Sequence, residues 1–182
     1  MKLLLHVCCA PCMMHPFEEV YGKEFDSITG FFYNPNIHPY TEYINRKNAL
    51  DEYSNRHKIP VIFHKYDIEN FFRRISGNEQ FGARCGACWR MRLEETAAFA
   101  AKKKFDSFST TLLVSPYQNQ EDIKRIGLDL KKRFNVNFYY KDFRGGFKSA
   151  QEEARKEDLY RQKYCGCIFS ERERYEKKQK KK

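Results

Sequence analysis

The sequence predicts a single-domain α/β fold, an open, mostly parallel sheet with helices on both faces. Short apolar and β-branched runs alternate with longer segments of helical periodicity, the pattern of parallel strands joined by crossover helices. The length of 182 residues fits one compact domain. Hydrophobic residues make up 41% of the chain and aromatic residues 16%, which is enough for a sizeable core, and no stretch approaches the length of a membrane-spanning helix.

Strands are predicted where short apolar runs end at turn signals. The first is Leu3–Val7, which leads directly into Cys8-Cys9-Ala10-Pro11-Cys12. Proline suits the first turn of a helix, so Pro11 predicts a helix that continues through Met13–Val20. The further predicted strands are Ser27–Tyr33, Val61–Phe63 and Asn137–Tyr140, and a short apolar segment is formed by Asp106–Ser109 with Leu112–Val114.

Helices are predicted between these strands from apolar residues at helical spacing. Leu93, Ala97, Ala100 and Ala101 form one apolar stripe after Cys88, whereas Gly82–Gly86 before it is predicted to be a loop that carries Cys85. The other predicted helices are Thr41–Arg56, Ile123–Phe134 and Ser149–Tyr160. In a parallel sheet ligands bind beyond the carboxyl ends of the strands, where the first cysteines fall.

The charge distribution divides the chain into a folded domain, residues 1–170, and a basic, frayed tail, residues 171–182. The tail contains seven basic and three acidic residues, so it contributes +4 to the net charge of +10 and leaves +6 on the domain. An excess of this size favours a polyanionic partner such as RNA.

Seven cysteines fall into three groups and occur nowhere else in the chain. No secretory leader is recognisable, so we expect a cytoplasmic location, where thiols stay reduced. Clustered thiols in such a compartment indicate a metal site, because unrelated core cysteines have no reason to group. The groups are Cys8, Cys9 and Cys12; Cys85 and Cys88; and Cys165 and Cys167.

The number of thiolates restricts which metals they can hold. Two all-cysteine zinc sites would need one thiolate more than the chain has. One four-iron cluster takes four thiolates and leaves three for a second metal with an open position. Neighbouring side chains project in different directions, so we expect Cys8 and Cys9 to bind different metals. The count does not decide which cysteine serves which metal.

Residues beside the cysteines favour ligation by thiolates. Gly86 and Gly166 allow backbone amides to approach sulfur closely. Cys12 and Cys88 lie at predicted helix starts, where the helix dipole favours a negative sulfur. The nearby arginines fit either a solvated surface or contacts with RNA phosphates, and they are Arg84, Arg90 and Arg92.

These motifs together resemble the cobalamin-independent epoxyqueuosine reductases. The resemblance rests on His6–Cys12, Cys85–Cys88 and Cys165–Cys167, together with the loops Phe32–Pro39 and Thr110–Tyr117, and covers essentially the whole chain. It implies a Rossmann-like fold with a 4Fe-4S cluster beside a second metal, for which the resemblance implies iron. It also implies reduction of the epoxide of epoxyqueuosine to queuosine at the wobble position of tRNA, the last step of queuosine biosynthesis.

The implied reaction needs two electrons, a Lewis acid for the departing oxygen and a proton donor. The cluster would supply electrons and the second metal would bind the oxygen. Candidate proton donors are Tyr33, His38 and Tyr117. Because neither a dinucleotide-binding glycine loop nor a Walker loop is present, we expect a separate electron-donor protein.

Two other functions fit parts of the pattern. A nucleotide-using tRNA sulfurtransferase could share the sheet topology, but it would carry a Ser-Gly-Gly phosphate loop where Cys8–Cys12 stand. A zinc-stabilised RNA-binding module, or another metal-thiolate tRNA-modifying enzyme, would also use clustered cysteines and a basic surface. Iron in the anaerobically purified protein distinguishes the reductase from the zinc module.

Overall fold

A computed structural model describes residues 1–179. Five strands form one sheet in the order β3-β2-β1-β4-β5, and every neighbouring pair is parallel. The strands are β1 Lys2–His6, β2 Ser27–Phe32, β3 Val61–Phe63, β4 Ser107–Thr110 and β5 Asn137–Phe138. The predicted open α/β sheet is confirmed, and it is wholly parallel over the described residues.

Helices cover both faces of the sheet. On one face α4 packs against β1 and β4 and is flanked by α3 and α5, while α1 packs with α2 and α6 on the other. The helices are α1 Ala10–Val20, α2 Tyr40–Arg56, α3 Ile68–Ile75, α4 Ala83–Lys102, α5 Gln120–Phe134, α6 Phe147–Lys156 and α7 Ile168–Gln179. Throughout residues 1–179 no helix has the length and apolar character to cross a membrane.

The start of α4 differs from the sequence prediction. Gly82–Gly86 was predicted to be a loop, but the helix begins at Ala83 and carries both Cys85 and Cys88. A Cβ atom on Gly86 would meet no atom within 4 Å, so this glycine sits on an open helix surface. Cys88 is consequently in the second turn, and Cys85 is the cysteine nearest the helix start.

The predicted boundary between residues 170 and 171 falls inside a helix. α7 runs from Ile168 to Gln179, and Glu173 forms an ion pair with Arg84 of α4 at 2.6 Å. Residues 180–182 of the predicted tail lie outside the described residues. The division of the chain into a domain and a tail stays a prediction.

The sheet order places a topological switch point between β1 and β4. From β1 the chain proceeds outward to β2 and β3, and it then returns to the other side of β1 to form β4 and β5. The crossover connections therefore leave in opposite directions, which opens a crevice at the carboxyl ends of β1 and β4. Cys8 follows β1 and Thr111 follows β4, so the first cysteines lie at this crevice.

Candidate metal centre

The sulfur atoms of Cys8, Cys9 and Cys12 all lie within 4.8 Å of one another and are buried. The Cys8 and Cys9 sulfurs are 3.8 Å apart. The expectation that these neighbours project apart is wrong, because the chain turns between β1 and α1. Cys9 caps α1 in an extended conformation, and the turn brings its side chain back beside Cys8. These three residues form a preassembled thiol group, called the first thiol group below.

The end of β4 holds Cys8 in place. The Thr111 hydroxyl accepts a hydrogen bond from the Cys8 backbone amide at 3.3 Å and lies 3.5 Å from the Cys8 sulfur, to which it donates. The preceding residue, Thr110, pairs with His6 across β1 and β4, and its hydroxyl lies 2.9 Å from His6 Nδ1. Burial lowers the pKa of His6 to about 4, so this imidazole is neutral and supports the loop without adding charge.

The first thiol group favours one negative charge, located on Cys8. Hydrogen bonds from the Cys12 and Cys9 thiols hold the pKa of Cys8 well below its ordinary value, and Thr111 contributes in the same direction. Burial raises the pKa of Cys9, and the hydrogen bond to Cys8 raises the pKa of Cys12. Deprotonated sulfur is the form that binds metals, so Cys8 is the ligand most ready to do so.

The remaining four cysteines border a second cavity of about 470 Å³, and they are Cys85, Cys88, Cys165 and Cys167. Three buried polar atoms without a hydrogen-bond partner belong to residues that line it: Asn36 Oδ1, Arg84 Nε and Arg92 Nη2. Native interiors rarely leave such atoms unpaired, so they indicate that a polar group belongs in this cavity. Four thiols with two unused N–H donors beside them, on Arg84 and Arg92, fit a cluster of iron and sulfide.

Arg92 lies between the two groups of cysteines. Its side chain is 1% exposed and lines both the second cavity and a first cavity of about 500 Å³ that opens onto Cys8 and Cys12. Among the described residues no carboxylate forms an ion pair with it, and its Nε donates to the carbonyl oxygen of Cys88 at 3.4 Å. Burial acts to lower the pKa of Arg92, but the cysteine sulfurs, that of Cys88 first, raise it overall. Burial raises the pKa of Cys88 to about 12, so these sulfurs would become the counter-charge of Arg92 when they are deprotonated by a bound metal.

The sequence analysis did not decide whether Arg84, Arg90 and Arg92 lie on a solvated surface or contact RNA phosphates. Arg84 and Arg92 are buried, at 3% and 1% exposure, so neither interpretation describes them. Arg90 is on the surface and pairs with Asp129 at 2.7 Å. The arginine four residues after Cys88 shares its helix face, a signal from which the buried role of Arg92 could have been predicted.

The loop that carries Cys165 and Cys167 is anchored to the segment after β2. The Gly166 carbonyl accepts from the His38 amide at 2.8 Å, and Arg46 donates to the carbonyl of Cys165 at 3.0 Å. Gly166 has a φ of +145° and packs against Asn36 and Ile37. The Gly166 amide donates to the Ser170 hydroxyl at 3.3 Å and the Gly86 amide to the Gly82 carbonyl at 3.0 Å, so the expected approach of these amides to sulfur stays a prediction.

Asn34, at the start of the same segment, holds the end of β1. Its amide nitrogen donates to the carbonyl oxygen of Val7 at 2.8 Å, directly before Cys8. The segment Asn34–Pro39 therefore supports the first thiol group on one side and the Cys165–Cys167 loop on the other. This explains why the loop motif accompanies the cysteines in the sequence.

Two glutamines that the sequence analysis missed contact sulfur atoms. Gln118 lies 3.7 Å from the Cys165 sulfur and accepts from the Trp89 indole at 2.8 Å. Gln162 lies 3.6 Å from the Cys12 sulfur. Each glutamine directs an amide donor at a sulfur, an arrangement that stabilises thiolate. No local pattern marks either residue.

The three predicted proton donors are placed differently. Tyr117 lines both cavities and is 80% exposed. Tyr33 is buried, its hydroxyl accepts from Asn70 at 3.1 Å, and it lines neither cavity. His38 is buried, stacks on Phe72, and also lines neither cavity. Of the three, Tyr117 alone is brought to the cysteines.

A solved structure has the same fold. It is titled as the crystal structure of a predicted subunit of tRNA methyltransferase from Methanocaldococcus jannaschii. The TM-score is 0.50 at 13% sequence identity, with 84% of this chain and 76% of that chain covered. At this identity the likeness supports the α/β fold alone.

Sequence comparison extends to named relatives. The family model described as Epoxyqueuosine reductase QueH matches residues 3–173. Proteins named Epoxyqueuosine reductase QueH from Thermotoga maritima and Dehalococcoides mccartyi are 38% and 37% identical to this chain. The alignments cover 96% and 97% of this chain and 93% and 96% of those proteins. With a family model and full-length relatives in agreement, this chain belongs to the epoxyqueuosine reductase QueH family.

Proposed function

We propose that this protein is an oxidoreductase that reduces the epoxide of epoxyqueuosine in tRNA to the alkene of queuosine, using protein-bound iron and no cobalamin. The observation that carries the proposal is that seven free cysteines from three segments come together near the topological switch point of the sheet. The chain that carries them belongs to the QueH family. The zinc-stabilised binding module is not favoured, because the relatives are named as reductases.

We assign the seven thiols to two metal groups. The first thiol group would hold a single metal, since its sulfurs already converge. Cys85, Cys88, Cys165 and Cys167 would hold the 4Fe-4S cluster in the second cavity, which has the volume and the unpaired polar atoms for it. When bound, these groups would supply single electrons and a Lewis acid for the epoxide oxygen. The division of four and three thiols uses every cysteine of the chain.

The side chains around the first cavity would prepare the site for this chemistry. Arg92 places a permanent positive charge between the thiol groups, and its unpaired Nη2 can donate to an oxygen of the substrate. Thr111 fixes the orientation of Cys8. Tyr117 lines the cavity and can deliver a proton to the departing oxygen, whereas Tyr33 and His38 would act from behind the site by supporting the backbone.

The reaction consumes two electrons and two protons and releases the epoxide oxygen as water. Since the sequence contains no nucleotide-binding loop, we infer that a separate electron-carrier protein supplies the electrons. Seven reduced thiols suit a reducing compartment, and we place the reaction in the cytoplasm.

The test is reduction of epoxyqueuosine in tRNA by anaerobically purified, iron-loaded protein with a chemical reductant. Mass spectrometry of the digested tRNA should show a nucleoside that has lost one oxygen atom. Cys8→Ser should abolish the conversion, whereas the surface change Lys102→Ala, at the opposite edge of the sheet, should leave it intact. Full conversion by protein stripped of iron would refute the proposal.

A further inference from the structure

Three basic residues border the opening of the first cavity: Arg161, Lys163 and Arg174. Lys163 and Arg174 are exposed, and Arg161 is half-buried. Within residues 1–179 none of the three has an ion-pair or hydrogen-bond partner. They contrast with Arg84, whose charge Glu173 compensates. We call these three residues the basic rim, and their charge is available to a ligand.

An exposed aromatic ring stands across the same opening. Tyr117 is 80% exposed, although large aromatic side chains usually bury most of their surface. It contacts Phe147 in a T-shaped arrangement, with ring centroids 6.1 Å apart and an interplanar angle of 89°. Most of the ring surface is therefore free at the mouth of the cavity.

The floor beneath the rim and the ring contains the thiols. The cavity volume is about 500 Å³, and its lining includes Cys8, Cys12 and Arg92. This volume lies in the range of sites that enclose one small organic group. Whatever enters between the ring and the basic rim is thus led to the candidate metal centre.

We propose that this mouth binds a single-stranded segment of RNA, with one base stacked on Tyr117 and the flanking phosphates held by the basic rim. An aromatic face beside unpaired cations is the combination that binds splayed, single-stranded nucleotides. The inference rests on the proposed function, and it identifies the surface by which the anticodon loop would present its wobble nucleotide to the thiols.

An acidic electron-carrier protein is the other polyanion that a basic rim could attract. The cavity argues against it, because a folded protein would cover the rim and leave the 500 Å³ space and the free face of Tyr117 unused. A nucleotide uses the cations, the ring and the cavity together. The RNA assignment therefore accounts for more of the observed surface.

The basic rim is tested by the triple change Arg161→Ala, Lys163→Ala and Arg174→Ala. The matched control removes the same charge at the opposite edge of the sheet, through Lys23→Ala, Lys102→Ala and Lys103→Ala. Binding of a fluorescent anticodon stem–loop to the anaerobically purified proteins is measured by anisotropy over a range of salt concentrations. The rim variant should bind roughly ten- to a hundredfold more weakly at low salt, and the slope of log K against log salt should fall by about 2. The control should match the parent.

Tyr117 is tested by Tyr117→Ala and Tyr117→Phe. The alanine variant should bind the stem–loop roughly 5- to 100-fold more weakly, because stacking is lost. The phenylalanine variant should bind as the parent does, since the ring is kept and only the hydroxyl is removed. Equal binding by all three proteins would overturn the stacking role. Every variant should unfold at the same thermal midpoint as the parent.

The outcomes separate this inference from the proposed function. If the rim variant binds RNA like the parent while the parent still reduces epoxyqueuosine in tRNA, the surface is wrong and the proposed function stands. If the rim variant keeps its RNA affinity but accepts electrons more slowly from an acidic carrier, the rim serves that protein and the inference is overturned. If the parent does not reduce the epoxide, the proposed function fails, while the binding data still decide the surface.

Discussion

Arg46 Nη1 donates to the carbonyl oxygen of Cys165 at 3.0 Å, across 119 residues of sequence. Its Nη2 donates to the carbonyl of Tyr164 at 3.0 Å, and its Nε pairs with Glu42 at 2.8 Å. The Arg46 side chain is completely buried. One guanidinium therefore links α2 to the backbone that presents the last two cysteines.

Replacing Arg46 with methionine should strongly destabilise the protein. The change leaves the buried Glu42 carboxylate without its ion-pair partner, with only the Tyr160 hydroxyl as donor among the described residues, and removes the donors to two carbonyl groups of the cysteine loop. We therefore expect a loss of about 3–5 kcal/mol in the free energy of unfolding. Urea denaturation measures it. Arg56 is the matched control: it is exposed and pairs with Glu52 at the same spacing on α2 and with Glu157 at 2.9 Å. Arg56→Met should cost about 1 kcal/mol or less, because exposed ion pairs contribute little. Equal losses would contradict the anchoring role.

The first thiol group should bind one divalent metal ion even when the other four cysteines are changed to serine. Its three sulfurs already converge, so little reorganisation is needed. Titration with Co²⁺, followed by visible absorption, should give one ion per chain. Replacing Cys8, Cys9 or Cys12 in that background should weaken binding by more than the roughly 10–100-fold that loss of an outer-shell partner costs. Undiminished binding would refute the assignment.

Gly166 and Gly86 should respond oppositely to alanine. Gly166 has a φ of +145°, and a Cβ there would lie 3.1 Å from the Asn36 amide nitrogen, so Gly166→Ala should destabilise the fold and lower metal content. Gly86 is helical and faces open space, so Gly86→Ala should stabilise the protein by about 0.5–1 kcal/mol. Thermal denaturation with iron analysis checks both. A destabilised Gly86→Ala protein would indicate a contact with the bound cluster.

Stability should fall as the pH drops from about 6.5 to about 4, in part because of His38. Burial lowers the pKa of His38 to about 4, so the folded state keeps it neutral while the unfolded chain takes up a proton at about pH 6.5. The unfolded state therefore binds more protons in this window, and the contribution is fully present above it and lost as the pH falls. The loss is about 3 kcal/mol.

His38→Gln should reduce this dependence on pH. The variant lacks the titrating group, so its free energy of unfolding should decrease by about 3 kcal/mol less than that of the parent over the same window. Urea denaturation near pH 7 and near pH 4 measures the difference. Identical pH profiles would show that His38 has the same pKa in the folded and unfolded states.

The strands and most helices could be predicted because their signals are local. β1, β2 and β3 each contain a short apolar run, β4 and β5 each contain one buried phenylalanine, and α5 carries a clear apolar stripe with its buried Ile123, Ile126 and Leu130. α3 was missed because its eight residues bury only Phe71 and Ile75, too few for a period to emerge. The first turn of α4 was missed because Gly82 and Gly86 lie in it or next to it, and glycine has low helix propensity.

The candidate site could be predicted as a set of cysteines but not as a geometry. Spacing shows that Cys85 and Cys88 belong together, yet it cannot show that a turn brings Cys8 and Cys9 to 3.8 Å. Contacts such as Arg46 with Cys165 join segments far apart in sequence and leave no pattern in either. The buried role of Arg92 was not predicted either, although its position four residues after Cys88 places both residues on one face of α4.

Because the cysteines lie near both ends of the sequence, the order of synthesis determines when all of them are available. Cys8 emerges early during synthesis, whereas Cys167 emerges only after nearly the whole chain has been made. A nascent or truncated polypeptide that ends before Cys165 would have its sheet but lack two ligands and the loop that seals the second cavity. On the proposed assignment, the four-thiol group can take up its cluster only after nearly the whole chain has been made, whereas the first thiol group has all its sulfurs once Cys12 has emerged.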